Sequence, residues 1–179
     1  FLEKFSNAVS KIKVGDGFDE GVISGPLIDE FSLNKVKDQV TDAANSGAKI
    51  AVGGDVHSLG GNFFQPTVLS EVTSNAKITY EETFGPVAPL YKFSDDEEVI
   101  KMANDTPYGL ASYFYSRDIG RVWRVAEALE YGIVAVNNGA PTKAEMPFGG
   151  IKESGSGREG SKYGIDDFLE IKYISMAGI

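Results

Sequence analysis

The residue types that can do chemistry are few in this sequence. Its 179 residues include no cysteine and one histidine, His57. The sequence therefore offers no disulfide, no thiolate zinc site and no cysteine nucleophile within these residues. One histidine cannot form a metal cluster, so we expect His57 to be a surface or hydrogen-bonded residue. No G-x-S-x-G motif surrounds a serine, and no pair of carboxylates is singled out by its spacing.

Three glycines near the C-terminus follow the pattern G-x-G-x-x-G, which is typical of dinucleotide-binding turns: Gly155, Gly157 and Gly160. Such a turn needs an apolar strand before it, and a helix and a second strand after it. The preceding residues, MPFGGIKES, cannot form a buried strand, and only 19 residues follow Gly160. We therefore expect a tight loop ahead of a short helix, with glycines supplying positive φ.

Composition limits the class of protein. The net charge of −9 with scattered lysines argues against nucleic-acid binding, and no run of about 18 apolar residues predicts a membrane span. No secretory leader opens the chain, which favours a cytoplasmic protein. The first residue is Phe1 rather than methionine, inside what looks like an amphipathic helix, so we expect a piece of a longer protein.

Helix and strand signals alternate along the chain. Four segments have helical spacing of apolar residues: FLEKFSNAVSKIKVG, FSLNKVKDQVTDAANSG, DEEVIKMAND and RDIGRVWRVAEALEYG. We expect Gly47 to follow the second helix, and Ser94 to open a capping box with Glu97 at the third. Short apolar runs predict strands, among them AKIAVGG, NFFQPTVLSEV, VAPLYKF, LASYFYS, IVAVN and FLEIKYISM. Pro66 and Pro89 favour edge or bulged strands.

This alternation predicts an α/β fold with a largely parallel sheet flanked by helices. Residues 1–163 would form one domain, and residues 164–179 a C-terminal arm.

Four motifs, in order, resemble the C-terminal part of the aldehyde dehydrogenase superfamily: GPLI (25–28), YEETFGPVAPLYKF (80–93), ANDTPYGLASYFYSRD (103–118) and MPFGGIKESGSGREGSKYG (146–164). The tail GREGSKYGIDDFLEIKYI is most similar to the succinate-semialdehyde dehydrogenase branch. The resemblance covers essentially the whole chain and implies a partial catalytic domain with a C-terminal oligomerisation strand.

Enzymes of this family oxidise an aldehyde through a thiohemiacetal and a thioester on a cysteine, pass hydride to NAD or NADP, and hydrolyse the thioester. The resemblance places that cysteine, the base and the cofactor-binding domain upstream of Phe1, in a missing N-terminal part. This chain then carries no catalytic residue, and we expect it to be inactive alone and to bind cofactor weakly or not at all.

The resemblance implies two cofactor-binding residues. Glu82 matches the glutamate that accepts hydrogen bonds from the nicotinamide ribose, a role that suits the two oxygens of a carboxylate. Without the motif, Glu82 would be taken as a solvated charge beside Glu81. Phe84 matches the aromatic residue beside the nicotinamide, and Gly85 and Pro86 set the turn that aims both side chains.

Three further residues would line the aldehyde entrance: Asn137, Thr142 and Phe148. Asn137 would steady the loop through backbone hydrogen bonds, and Phe148 would form a hydrophobic wall. Thr142 falls where the branch has a hydroxyl residue that helps hold the substrate carboxylate, although the branch usually shows Ile-Ser where this chain has Pro141-Thr142-Lys143. Lys143 either adds charge there or points into water.

The remaining glycines and the tail complete the expectations. Gly149, Gly150, Gly155 and Gly157 would let the backbone fold closely beneath the substrate loop, a structural role rather than phosphate binding. FLEIKYISMAG resembles the strand that joins a neighbouring subunit, which implies a homodimer or tetramer. The alternatives are a stand-alone binding or assembly module derived from the same fold, and an unrelated α/β binding protein.

Overall fold

A computed structural model describes residues 1 to 179, which form two compact units, Phe1–Lys92 and Phe93–Ile179. The α/β class is confirmed. In place of one sheet, the chain has three small ones, containing two parallel and two antiparallel strand pairs. The boundary predicted between residues 163 and 164 differs from the one between these two units, at Lys92 and Phe93, and it stays a prediction.

The first unit combines two helices with a three-stranded sheet. Its elements are α1 (Leu2–Val9), α2 (Glu30–Asn45), β1 (Lys49–Val52), β2 (Thr67–Ser70), a 3-10 turn (Lys77–Thr79) and β3 (Val87–Pro89). The strand order is β1-β2-β3, with β1 antiparallel and β3 parallel to β2. α2 begins where the Asp29 carboxylate accepts the Ser32 N–H at 2.7 Å, and Gly47 follows its end with a φ of 103°.

The core of this unit lies between α2 and the sheet. Apolar side chains at helical spacing on α2 meet residues of β2 and of the segments around it. The buried cluster comprises Leu33, Val36, Val40, Ala43, Ala48, Phe64, Leu69, Val72, Ala76 and Ile78. The first unit is therefore stabilised by the packing of α2 against its sheet.

The predictions drawn from the two prolines near this sheet differ in their outcome. β3 is an edge strand, in agreement with the prediction from Pro89. β2 is the central strand and all four of its residues are buried, so the edge alternative predicted from Pro66 is wrong, although the ladder between β1 and β2 has a register shift between Ile50 and Val52. Pro66 lies just before β2, so its missing N–H costs the sheet nothing. The first ladder donor is Thr67, whose N–H donates to the Pro86 carbonyl at 2.8 Å.

The second unit contains the other six helices and strands and a final 3-10 turn. They are α3 (Asp96–Asn104), β4 (Tyr108–Gly109), β5 (Ala111–Phe114), α4 (Ile119–Ala128), β6 (Ile133–Val136), β7 (Ile151–Lys152) and a 3-10 turn (Asp166–Phe168). β5 and β6 pair in parallel, whereas β4 and β7 pair antiparallel. Val125, Ile133 and Ala135 are its buried apolar residues.

The cap of α3 lies one residue later than predicted. Asp95, not Ser94, is the N-cap, and its carboxylate accepts the Glu98 N–H at 2.9 Å. The Glu98 carboxylate accepts the Ser94 N–H at 2.7 Å in return. The first bond of a capping box is thus present with an aspartate carboxylate in place of the serine hydroxyl, while the returning bond of Glu98 goes to the N–H of Ser94, the residue before the cap.

The C-terminal segment forms no strand with the rest of this chain. The glycine-rich loop leads only to the three-residue 3-10 turn, and residues 169–179 are irregular and exposed. A strand in FLEIKYISM, which the resemblance assigns to pairing with another subunit, stays a prediction. Among the helices, none combines the length and the apolar character that crossing a membrane would require.

Candidate functional site

The loop of residues 80–86 displays both predicted cofactor-binding side chains. It connects the 3-10 turn to β3, and Glu82 is exposed. Phe84 leaves 77% of its surface exposed and has a φ of 48°. A bulky residue in the left-handed region costs roughly 1–2 kcal/mol, so surrounding contacts must hold this loop in place. The loop therefore presents a carboxylate and an aromatic face outward from a constrained backbone.

Those contacts come from one face of α2. A Cβ on Gly85 would lie 2.6 Å from Val36 Cγ2, so the loop backbone packs directly on the helix. Before the loop, the Lys77 N–H donates to the Asp42 carboxylate at 2.8 Å, and Lys77 Nζ pairs with Asp38 at 2.7 Å. The hydrogen bond that Lys77 Nζ donates to the Asp38 carboxylate raises the pKa of Lys77 above its ordinary value.

Gln39 also supports this loop, a role that was not predicted from the sequence. Gln39 is fully buried on α2, and its amide reaches Glu81, the residue before Glu82. The available signal was a polar residue on the apolar stripe formed by Val36, Val40 and Ala43.

Tyr91 and Thr79 form a second polar contact of the first unit. Their hydroxyl groups lie 2.9 Å apart. Burial raises the pKa of Tyr91, so the phenol is neutral at physiological pH. This pair joins the 3-10 turn to the segment that follows β3 and so supports the loop between them.

In the second unit, Asn137 ties together the ends of β5 and β6. Its side-chain oxygen accepts the Ser116 N–H at 3.0 Å, and its Nδ2 donates to the Ser116 carbonyl at 2.7 Å. Its backbone has a φ of 54°, a conformation that asparagine tolerates better than most residues. The amide therefore orients the start of the following loop through backbone hydrogen bonds.

Thr142 and Lys143 lie in the stretch of residues 138–143 that follows. Both are exposed, and their side chains make no hydrogen bond or ion pair within the chain. The hydroxyl and the ammonium group are thus free to interact with a ligand or with water.

Phe148 is half-buried at the beginning of the glycine-rich loop. Its N–H donates to the Glu159 carbonyl at 2.9 Å, and the Glu159 N–H donates to the Phe148 carbonyl at 2.7 Å. Arg158 Nη1 donates to the carbonyls of Gly150 and Gly157 at 2.8 and 2.6 Å. These bonds close residues 148–159 into one backbone loop, with Arg158 as an internal cross-link that the sequence analysis did not identify.

The glycines of that loop permit close backbone approaches. A Cβ on Gly149 would meet the Gly157 carbonyl, and one on Gly150 would meet Ser154. Gly155 and Gly157 have φ values of 102° and 78°, as expected for glycines that supply positive φ. Neither a long apolar strand before this loop nor an α-helix after it is present, so the framework of a dinucleotide-binding turn is missing.

His57 has a local structural role. Its Nδ1 accepts the Leu59 N–H at 3.3 Å, which agrees with the expected hydrogen-bonded histidine. No group of three or more His, Asp or Glu side chains is placed to hold a metal ion. The predicted site residues thus fall into two groups, each described within its own unit: Glu82 and Phe84 in the first, and Asn137, Thr142 and Phe148 in the second.

Comparison with known proteins gives consistent matches over nearly the whole chain. The model of the "Aldehyde dehydrogenase family" matches residues 1–174. Escherichia coli succinate-semialdehyde dehydrogenase [NADP(+)] is 59% identical over 97% of this chain, and Pseudomonas putida 3-sulfolactaldehyde dehydrogenase is 55% identical over 100% of it. A crystal structure of succinate-semialdehyde dehydrogenase from Burkholderia pseudomallei superposes on 97% of this chain with a TM-score of 0.95 and 55% identity.

The matches cover only part of each relative. The chain spans 36% of the length of the E. coli protein, 37% of the P. putida protein and 36% of the B. pseudomallei chain. Residues that lie in the remainder of those proteins have no counterpart in these 179 residues.

Proposed function

Because the chain belongs to the aldehyde dehydrogenase family, we propose that it is the C-terminal part of an NAD(P)-dependent enzyme that oxidises a short, anionic aldehyde to its acid. Succinate semialdehyde or a similar semialdehyde is the proposed substrate. The observation that carries this proposal is the 59% identity to an E. coli succinate-semialdehyde dehydrogenase along 97% of the chain. The P. putida relative is named for an aldehyde that bears a sulfonate, so both names describe small aldehydes with an anionic group.

The covalent chemistry belongs to residues outside this chain. Oxidation through a thioester needs a cysteine, and these residues contain none. We propose that the nucleophile, the general base and most of the cofactor-binding surface lie in the missing N-terminal part. The isolated chain is then inactive and binds cofactor weakly or not at all.

Glu82 and Phe84 would form the cofactor wall. NAD(P), when bound, supplies the hydride acceptor. The Glu82 carboxylate is exposed and suits the two hydroxyls of a nicotinamide ribose, since each of its oxygens can accept one hydrogen bond. The exposed ring of Phe84 offers a flat apolar surface that would restrict the position of the nicotinamide.

Asn137, Thr142 and Phe148 would shape the aldehyde entrance. Asn137 orients the stretch that carries Thr142, and the free Thr142 hydroxyl can donate to a substrate carboxylate. Lys143 would add positive charge near the same group if its flexible chain turns toward it. Phe148, held by its backbone pairing with Glu159, would provide an apolar wall.

The C-terminal segment supports a proposal on assembly. Phe168, Ile171 and Tyr173 are each more than four-fifths exposed in the isolated chain. An exposed apolar segment without backbone partners tends to associate. We propose that residues 164–179 pair with another subunit, so that the complete enzyme is a homodimer or tetramer.

A chimera tests the proposed activity. The C-terminal 36% of the E. coli enzyme would be replaced by this chain, and NADPH formation measured with succinate semialdehyde. We expect turnover by the chimera and none by the 179-residue chain alone. The Glu82→Ala chimera should retain its fold and lose most activity, while Glu20→Ala, at an exposed position outside the 80–86 loop, serves as the control.

Two outcomes would contradict the proposal. One is a chimera that folds and binds NADP but oxidises no short anionic aldehyde. The other is aldehyde-dependent NADPH formation by the 179-residue chain alone. A stable, monodisperse oligomer of the chain together with an inactive chimera would instead favour the stand-alone assembly module.

A further inference from the structure

Gln39 is an amide side chain with no exposed surface, in the middle of the helix face that builds the first unit's core. Its Nε2 lies 3.5 Å from the Glu81 carbonyl oxygen and 3.3 Å from Glu81 Oε2. Both of these oxygens are acceptors, so the amide orientation follows from the chemistry of its partners. One buried donor thus holds the backbone and the side chain of the residue that precedes Glu82.

The other end of the same amide has no partner. Gln39 Oε1 is buried without a hydrogen bond. An unsatisfied buried acceptor destabilises the folded state, and an apolar side chain of similar shape would remove that cost. The stability of the core therefore gives no reason for a glutamine at this position, whereas its contact with Glu81 does.

The position of Gln39 relative to Val36 supplies the second step. These residues are three apart on α2 and therefore share a face. Gln39 holds the loop at Glu81, and Val36 contacts it at Gly85. Between these two points, Glu82 and Phe84 are exposed, and the backbone of Phe84 lies in the left-handed region.

We propose that Gln39 is a positioning residue for the cofactor: its amide fixes Glu81, and thereby sets where Glu82 and Phe84 meet the nicotinamide ribose and ring. This proposal rests on the proposed function of the 80–86 loop. Gln39 acts through Glu81 and touches no reacting group, so its effect concerns the cofactor and leaves the aldehyde unaffected.

The decisive variant is Gln39→Met, which keeps the length and volume of the side chain and removes both its donor and its orphan acceptor. In the 179-residue chain, we expect the melting temperature to be unchanged or higher. Backbone ¹⁵N order parameters for residues 82–85 should fall from about 0.85 to below about 0.6 as the loop is released. The control is Glu81→Gln, which keeps acceptors for the Gln39 amide and should leave those order parameters at the wild-type value.

The chimera then measures the consequence for the reaction. In Gln39→Met, we expect the KM for NADP to rise about five- to tenfold, while the KM for the aldehyde stays within about twofold of the parent value. Glu81→Gln should stay close to the parent in both constants. Equal rises in both Michaelis constants would contradict the proposal, because they would indicate a general disturbance of the site.

The measurements on the 179-residue chain and on the chimera distinguish failure of this inference from failure of the proposed function. An inactive parent chimera would overturn the proposed function, while the order parameters of the 179-residue chain would still decide whether Gln39 holds the loop. An unchanged loop in Gln39→Met, or a large loss of melting temperature, would overturn the positioning role. An active chimera with an unchanged KM for NADP would overturn it as well.

Discussion

The 80–86 loop and the 138–143 stretch carry the proposed cofactor and substrate contacts, and the chain supports them in different ways. The first is held at both ends by α2, through Gln39 at Glu81 and through Val36 at Gly85. The second is anchored at its beginning by the hydrogen bonds of Asn137 to Ser116, and Thr142 and Lys143 extend into solvent. A helix thus holds one region at both ends, while the other is held by hydrogen bonds at its beginning and by backbone bonds of Lys143 and Ala144 at its end.

This difference separates what a substitution can change. At the two points where the 80–86 loop meets α2, Glu81 and Gly85, a new side chain disturbs the core face of the helix, so sequence and geometry are coupled there. At Thr142 and Lys143, which are exposed, a new side chain changes the surface offered to a ligand without disturbing a packed core.

The largest effect is expected from Glu82→Ala in the chimera. Losing two charge-assisted hydrogen bonds to the ribose hydroxyls should lower kcat/KM for NADP by about 100-fold. The exposed position of Glu82 implies that the melting temperature stays near the parent value. Steady-state kinetics with varied NADP measures kcat/KM. An effect confined to the KM for the aldehyde would contradict the assignment of Glu82 to the cofactor.

Gly85→Ala tests how tightly the 80–86 loop is held. The added Cβ would lie 2.6 Å from Val36 Cγ2, and Val36 is fully buried and cannot move aside easily. We expect a loss of about 1–3 kcal/mol in the free energy of unfolding, measured by urea titration. Gly17→Ala, at a site with nothing within 4 Å of the new Cβ, is the matched control.

A double variant sharpens this test. Val36→Ala alone creates a small cavity, and combined with Gly85→Ala it makes room for the new methyl group. The double variant should therefore be more stable than the sum of the single effects predicts. Additive losses would mean that Gly85 does not rest on Val36.

Asn137 tests the anchored end of the second region. Asn137→Ala removes both hydrogen bonds to Ser116 and leaves a residue that adopts positive φ less easily, so we expect a loss of about 1–2 kcal/mol in the free energy of unfolding. Asn137→Gly separates the two causes, because glycine accepts the φ of 54° and still lacks the amide. If glycine restored full stability, the hydrogen bonds to Ser116 would contribute nothing.

Thr142→Ala should divide binding from stability. The hydroxyl makes no contact within the chain, so the free energy of unfolding should change by less than about 0.5 kcal/mol. In the chimera, we expect the KM for succinate semialdehyde to rise about three- to tenfold, and the KM for NADP to stay constant. Thr142→Ser keeps the hydroxyl and is the control, whereas a rise in the KM for NADP would contradict the assignment to substrate.

The sequence predicted the α/β class and the approximate positions of all four α-helices, because apolar spacing and caps are local signals. It did not predict that β2 is the central strand. A proline indicates an edge strand only if it lies within the strand, and Pro66 lies just before β2. The predicted N-cap of α3, Ser94, is one residue before the observed one, Asp95. Both residue types are good N-caps, and tertiary context decides between them. The support of the candidate site was missed for a similar reason: the Gln39–Glu81 contact joins residues 42 positions apart, and no local pattern specifies such a pair.

Acid titration compares the helix starts of the two units. The Ser32 N–H lowers the pKa of Asp29 at α2, and the Arg121 N–H lowers that of Asp118 at α4, each from an ordinary 3.8. A lowered pKa in the folded state means that each carboxylate stabilises its helix at pH values well above 3.8, and that this contribution is lost as the pH falls through the lower folded value. Asp29→Asn and Asp118→Asn keep the cap and remove the titration, so each should flatten the fall in melting temperature below about pH 4 while leaving neutral stability nearly unchanged.

Since α2 carries the contacts of the 80–86 loop, acid should release residues 82–85 less readily in Asp29→Asn than in Asp118→Asn, as followed by their order parameters across the titration. Equal protection by both variants would mean that loss of the α2 cap is not what frees the loop.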